Sequence, residues 1–304
     1  MSAEQSETPA MYMTVRQVAA YLRLNEKKIY ALVGEGRIPA TKITGKWLFP
    51  RELVDRWVLD SAHGGLLADR LLIAGSDDPL LYRLVLSFAR HMGTQAQISY
   101  TPTGTRRGLE LLQAGRVDVG AVHWGPDVQA RTRHPALLRQ YPQHRDWALI
   151  RAFRREQGLM IGPRARPDAD CLDRLVDARC RWAQRQRGSG AQRYLLAALD
   201  RMGIAHERLP VTLTALSERE AAAAIALGQA DVAPGARAAA AEFGLGFVPL
   251  GWEAFDFALS RGVWFRRLFQ DLMHRLKDEQ AHQWAAALGG YDLGGAGDLV
   301  WGDD

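Results

Sequence analysis

TVRQVAAYLRLNEKKIYALVGEGRIPATKITGKWLFP, residues 14–50, changes its hydrophobic period once, and that change decides how the chain is divided. Val15, Val18, Ala19 and Leu22 stand at i, i+3, i+4 and i+7 of a short amphipathic helix that Thr14 can cap. Asn25 can cap a second helix, with Ile29, Leu32 and Val33 as its inward stripe and Lys27, Lys28 and Tyr30 pointing elsewhere. Gly34 and Gly36 stop it. The period then shortens, and Arg37 to Ile43 and Lys46 to Phe49 read as two strands around a tight Thr44-Gly45 turn. Pro50 and Arg51 open a third helix with Leu53, Val54, Trp57 and Val58 on one side.

The run from Thr14-Val15-Arg16-Gln17-Val18-Ala19 through Ile29-Tyr30 and Gly36-Arg37-Ile38-Pro39 to Trp47-Leu48-Phe49 resembles the excisionase/MerR-type winged helix domain. The resemblance implies that the second helix enters the major groove of double-stranded DNA while the hairpin, as a wing, touches the backbone or minor groove. On that reading Asn25, Lys27, Lys28 and Tyr30 supply helix contacts, and Lys42, Thr44 and Lys46 those of the wing. The lysines neutralise phosphates, whereas Asn25 or Lys28 could read base edges. Each residue taken singly is equally a solvated helix position; their shared face argues for DNA. One such module buries too little DNA for strong specificity, so a homodimer or higher homo-oligomer is expected.

Charge follows the same division. The chain of 304 residues carries a net +5, and residues 12–60 hold nine Lys/Arg against five Asp/Glu, while residues 61–304 hold thirty against twenty-seven. The excess is concentrated in the segment expected to meet a polyanion. Cys171 and Cys180 lack the repeated pairs of a zinc site or disulfide framework. No secretory h-region and no apolar run long enough to span a membrane is present, so a cytoplasmic location and no membrane partner are expected. The reading is a flexible start at residues 1–11, a winged helix domain at 12–60, a linker at 61–69, an α/β body at 70–288, and a flexible tail at 289–304 that shows no periodic core pattern.

In the large body, strand-like and helical runs alternate: Leu71 to Ala74 extended, Pro79 to His91 helical, Gln97 to Tyr100 extended, Thr105 to Ala114 helical, Val117 to His123 extended. Repeated βα units imply a mostly parallel sheet with ligands at the carboxyl ends of its strands. Four segments place hydroxyls or free amides at such helix starts: Gly75-Ser76-Asp77-Asp78-Pro79, Thr101-Pro102-Thr103-Gly104-Thr105, Arg187-Gly188-Ser189-Gly190-Ala191 and Ala233-Pro234-Gly235. Each is an anion seat or a simple helix cap, as Asp78 and Ser189 could be.

Gly75-Ser76 with Asp78-Pro79, Gly115 with Asp118-Val119-Gly120-Ala121-Val122-His123, Arg155 to Met160, Arg187-Gly188-Ser189-Gly190 and Phe247-Val248-Pro249-Leu250 resemble the cytosolic periplasmic-binding-protein-like (type 2) domain of regulators related to molybdate-binding proteins. The resemblance implies two α/β lobes joined by crossover strands, closing on a small anionic ligand, with molybdate or tungstate as the first expectation. Carried over by position, it puts Ser76 in a first loop, which also contains Asp77, and Thr103 or Thr105 in a second, His123 and Trp124 at a strand end near the cleft, and Arg187, Ser189 and Gly190 on the other lobe. Two departures count against a metal oxyanion. Phe255 stands where a tyrosine hydroxyl is common, and the Asp77 carboxylate would repel a dianion but suit hydrogen phosphate or an ammonium group.

The fold class expected is therefore α/β: an N-terminal winged helix-turn-helix followed by a two-lobed periplasmic-binding-protein-like body. The function expected is a ligand-responsive transcription regulator. The alternatives are a sensor of another phosphate-like or carboxylate ligand, and an excisionase-like architectural factor with a non-sensing second domain. His-Glu-x-x-His, Gly-x-Ser-x-Gly, P-loop and Cys/His metal patterns do not occur, so neither catalysis nor a metal or cofactor is expected. Arg131, Arg133, Arg151, Arg154 and Arg155 read as a solvated or intersubunit surface, with an extended phosphate-contacting face as the alternative, and Trp264 to Ala287 as a helical run packing on the first lobe.

Overall fold

The computed structural model describes residues 11–36, 38–43, 45–62, 70–165, 171–178 and 180–302. The chain forms two units that divide between Ala68 and Asp69. In the first, a three-stranded antiparallel sheet of order β1-β3-β2 consists of β1 (Tyr12–Met13), β2 (Thr41–Ile43) and β3 (Lys46–Pro50). Three helices accompany it: α1 (Val15–Leu22), α2 (Glu26–Gly34) and α3 (Arg51–Ala62). The caps are those the residue types favour. Thr14 and Gln17 form a reciprocal capping box at α1, and Asn25 caps α2. Val18, Ile29, Phe49 and Val54, none of them accessible, form the centre of the core. The described part of the linker reading, residues 61–62, continues α3; His63, Gly64 and Gly65 lie outside the described residues, as does the expected flexible start up to Ala10.

The second unit opens with β4 (Arg70–Gly75), α4 (Pro79–Met92), β5 (Gln97–Pro102), α5 (Thr105–Gln113), β6 (Val119–Val122) and α6 (Asp127–Leu138). A long strand, β7 (Trp147–Ile161), leads to α7 (Leu172–Asp177), β8 (Trp182–Arg185), α8 (Gly190–Arg201), β9 (Val211–Ala215), α9 (Glu218–Ala226), β10 (Val232–Ala236) and α10 (Arg237–Glu242). The second long strand, β11 (Gly246–Ser260), returns to α11 (Arg261–Trp264), α12 (Arg267–Leu276), α13 (Glu279–Leu288), β12 (Tyr291–Asp292) and β13 (Leu299–Gly302).

The sheet order β5-β4-β6-β11-β7-β10-β8-β9 makes two lobes. β4, β5 and β6 are parallel in the first lobe, as are β8, β9 and β10 in the second. β7 and β11 run antiparallel between the lobes, in register from Gly246↔Ile161 to Ser260↔Trp147 with irregularities at Pro249/Gly251 and Phe255/Asp256. Each lobe has its own core: Leu71, Ile73, Phe88, Phe257 and Phe269 in the first, Trp182, Leu195, Leu199 and Val232 in the second. Gly75 ends β4 at φ +138°, where a Cβ would stand 2.2 Å from the carbonyl oxygen of Ala121, so a glycine is required to bring the first loop against β6.

Three expectations change. The tail from Gly289 is not loose: β12 and β13 both pair with β7. Segments of two and four residues are too short to show an alternation, but they satisfy backbone groups on an edge that would otherwise lack partners. The helical run from Trp264 is broken after Trp264 and again at Asp278, whose carboxylate accepts from the N–H of Ala281 and starts α13. α12 and α13 do pack on α4 of the first lobe. Finally, Ala233-Pro234-Gly235 is not a loop but the middle of β10; Pro234 pairs in register with Leu159.

Candidate functional site

In the first unit α2 buries Ile29 and Leu32 and exposes Lys27, Lys28 and Tyr30, because the 3.6-residue period separates these sets. Asn25 is also exposed, but its side-chain oxygen accepts from the N–H of Lys28 at 2.8 Å, which leaves its amide nitrogen to donate elsewhere. Lys42 and Lys46 are exposed on the hairpin, and the Lys42 ammonium lies 5.7 Å from the centre of the Trp47 ring. Thr44 lies outside the described residues.

In the second unit the residues expected to bind a ligand divide between a closed inner core and an open outer pocket. The Ser76 and Thr105 hydroxyls are 2.7 Å apart; Thr105 also donates to the carbonyl of His123, and the His123 N–H donates to Ser76 Oγ. These hydroxyls are engaged with the protein itself. Thr103 Oγ1 is buried with no hydrogen-bond partner among the described residues. Asp78 and Ser189 are caps, accepting from the N–H groups of Leu81 and Gln192. The loops of the two lobes meet closely here. A Cβ on Gly190 would stand 1.9 Å from the imidazole Cδ2 of His123, and one on Gly104 would stand 3.2 Å from the side-chain nitrogen of Gln186.

Arg155 organises the inner core, and sequence reasoning placed it wrongly on a surface. Its guanidinium is inaccessible and bonds Glu253 at 2.7 Å, Asp78 at 3.0 Å, the carbonyl of Asp77 at 2.7 Å and Glu218 at 2.9 Å, with His123 Nδ1 at 3.3 Å. It lies over the Phe255 ring, 5.1 Å from its centre, so that phenyl supports a cation. One side chain on a crossover strand thereby ties the first lobe, through Asp77 and Asp78, to the second, through Glu218. Arg151 is buried as well, paired with Asp256 at 2.5 Å. Ion-pair partners separated by 63 to 105 residues leave no local pattern, which is why both arginines read as solvated.

Asp77 crosses between the lobes. Its Oδ2 accepts from the backbone N–H groups of Glu218 at 2.7 Å and Arg219 at 3.2 Å, at the start of α9. An internal carboxylate thus occupies a helix end suited to an anion. Burial and the neighbouring Glu218 push the Asp77 carboxyl above its ordinary range. Burial likewise pushes Asp78 up to about 6 and Glu253 up to about 7, against the opposing pull of Arg155. Burial, then Arg155 and Arg185, hold His123 well below an ordinary histidine, so its ring is neutral. The inner core therefore has four carboxyl groups, Asp77, Asp78, Glu218 and Glu253, around Arg155 and Arg185, and two of them take up protons near neutrality.

Beside this core lies an open cavity of about 880 Å³ between α5 of the first lobe and β8 and α8 of the second. Trp124, Arg187 and Ser189 line it, so three of the expected residues meet there. Arg106, Arg107, Arg185, Arg193 and His206 line it too, and sequence reasoning had not placed them in a site. The Arg106 and Arg193 guanidiniums lie over the Trp124 ring at 5.3 and 4.9 Å. The signal available was the i, i+3 relation of Ser189-Gly190 to Arg193 on one helix and the Thr105-Arg106-Arg107 run at another helix start.

Among the described residues no group of three or more His, Cys, Asp or Glu side chains could hold a metal ion, and no helix is long and apolar enough to cross a membrane. A helix-turn-helix domain model matches residues 12–61, and a PBP superfamily domain model matches residues 86–277, well over half of the chain. No curated protein matches. Among solved structures, OxyR of Corynebacterium glutamicum, in a mutant form with hydrogen peroxide bound, is similar at 16% identity with a TM-score of 0.54, over 90% of this chain and 89% of that one. A protein described as a phosphate ABC transporter substrate-binding protein, from Clostridium perfringens with phosphate bound, is similar at 10% identity with a TM-score of 0.51, over 72% of this chain and 97% of that one. At these identities the likeness concerns the fold. The chain belongs to the PBP superfamily and carries a helix-turn-helix domain ahead of its two-lobed body.

Proposed function

We propose that the protein is a ligand-responsive transcription regulator: the first unit holds double-stranded DNA as a winged helix, and ligand between the two rear lobes changes how tightly it does so. The observation that carries the reading is the pairing, in one chain, of a helix-turn-helix domain with two lobes whose buried charges meet across a pair of crossover strands. On this reading the junction has two arrangements, and a ligand that prefers one shifts the population by its difference in affinity, with about 1–3 kcal/mol of coupling being typical. Asn25, Lys27, Lys28, Tyr30, Lys42, Thr44 and Lys46 form the proposed DNA face, residues 12–60 the DNA-binding domain and residues 70–302, with the terminal strands β12 and β13, the sensor. A homodimer would place two such faces on one operator, and a DNA partner implies an intracellular site of action.

The ligand proposed is a small anion. Support for molybdate or tungstate is weaker than for an organic anion, because the Ser76 and Thr105 hydroxyls, two of those expected to hold a tetrahedral dianion, bond one another and four carboxyl groups stand beside them. Fluorescence anisotropy with DNA from the gene's own upstream region, titrated at low and high salt, tests the whole reading. Molybdate, tungstate, phosphate and organic anions are then added in separate arms. Binding that responds to at least one of them supports regulation. Binding that responds to none favours an architectural DNA factor, and no binding at either salt concentration removes the regulatory reading.

A further inference from the structure

The outer cavity has an unusual balance of charge. Five arginines converge on it from both lobes: Arg106 and Arg107 from α5, Arg185 from the end of β8, Arg187 from the loop that follows and Arg193 from α8. Among the described residues the one carboxylate in its lining, Glu110, is paired with Arg107 at 3.0 Å. Among the described residues Arg106, Arg187 and Arg193 have no carboxylate partner; Arg106 and Arg193 rest instead on Trp124. Arg185 is only 4% accessible, and its Nη1 has no hydrogen-bond partner among the described residues, with Glu218 at 4.0 Å as its nearest counter-charge. Burial holds the Arg185 guanidinium below its ordinary pKa. Like charges gathered at a recess repel one another. That repulsion falls if a polyanion enters.

The dimensions narrow the ligand further. A cavity of about 880 Å³ lies in the range of sites for drug-sized molecules, roughly 300–1,000 Å³. One tetrahedral oxyanion would leave most of it unfilled. Guanidinium groups match phosphoryl oxygens bidentately, and each phosphoryl group offers up to two charges and three acceptors in a small volume. Trp124 and Leu196 add apolar surface for an organic portion.

We propose that this cavity binds an organic molecule carrying two or more phosphoryl groups, which bridges Arg106 on the first lobe to Arg187 and Arg193 on the second. The assignment deepens the sensor reading and rests on it for its consequence, the drawing together of the two walls; the binding itself is measured without DNA. Isothermal titration of the full chain would use ATP, a sugar bisphosphate, inorganic pyrophosphate, inorganic phosphate, citrate and molybdate as probes. ATP or the sugar bisphosphate is expected to bind at least tenfold more tightly than pyrophosphate, and pyrophosphate more tightly than phosphate. Arg187→Ala, at an exposed loop position, should weaken the best organic probe at least tenfold while leaving the unfolding temperature unchanged, and Arg187→Lys should restore part of the loss. Unchanged affinity in R187A, equal affinity for pyrophosphate and both organic probes, or tighter binding of citrate or molybdate overturns the proposal. Binding that follows the expected order but leaves DNA affinity unaltered upholds the cavity assignment and removes the regulatory reading instead.

Discussion

Replacing Asp77 tests how the lobes are held together. Its carboxylate belongs to the first lobe, yet Oδ2 accepts two backbone N–H groups at the start of α9 in the second, at 2.7 and 3.2 Å. Asp77→Ala strands both donors in the closed arrangement, whereas water satisfies them once the lobes part. Leaving buried donors unsatisfied costs about 1–3 kcal/mol, which lowers the closed-to-open ratio by about 5- to 150-fold. The charge acts in the opposite sense. Burial and Glu218 hold the Asp77 carboxyl above its ordinary pKa, so the ionised form disfavours closure relative to the neutral one. Asp77→Asn keeps an acceptor oxygen and removes the charge, so it should hold the lobes at least as well as the wild type. Amide hydrogen exchange at Glu218 and Arg219 reads this directly, with small-angle scattering as a check on overall dimensions. D77A should speed exchange at both amides by about the stated factor, and D77N should not. Unaltered protection in D77A, or equal loosening in both variants, would refute the reasoning.

Three further outcomes follow from the same geometry. Glu253 titrates at about 7 in the folded protein against 4.5 unfolded, so this group adds stability as pH falls from above 7 towards 4.5; Glu253→Gln should therefore be more favourable, relative to wild type, at pH 8 than at pH 5 in urea unfolding, and a pH-independent difference would contradict this. Gly190→Ala places a Cβ 1.9 Å from His123 Cδ2, so it should push the lobes apart and enlarge the radius of gyration, even though alanine favours helix α8 by up to about 1 kcal/mol; an unchanged radius would show that the imidazole simply swings away. Lys28→Ala should weaken operator binding and reduce the slope of log affinity against log salt by about 0.9, the signature of one lost phosphate contact, and a steady slope would place Lys28 off the backbone.

What could be read from the sequence was whatever neighbouring residues decide. Thr14, Asn25, Asp78 and Ser189 announce their helices because a cap acts within three or four positions. The alternation of β4 to β6 with α4 and α5 was legible for the same reason, and so was the likeness of the long body to two lobes. The site was less legible because its chemistry is assembled from distant segments. Nothing near Arg155 indicates that Asp78, Glu218 and Glu253 surround it, and nothing near Ser76 indicates that Thr105 and the His123 amide satisfy its hydroxyl. Loops that look like anion seats in sequence can be closed by the protein's own side chains. Conversely, Arg106 and Arg193, unremarkable in their helices, acquire meaning only where Trp124 brings them together. β12 and β13 escaped notice because so few residues cannot show a period.

Those last two strands bear on any shortened version of the protein. Cutting at Gly289 would seem a harmless trim, but it would strip hydrogen-bonded neighbours from β7 at Arg154, Arg155 and Ala148 to Ile150. It would also take away the Tyr291 phenol, which donates to Asp78 at 2.9 Å. A truncated fragment or a bulky fusion joined at that end would therefore alter the backbone on which Arg155 is mounted, and a biosensor built that way would report its own engineering as readily as its analyte.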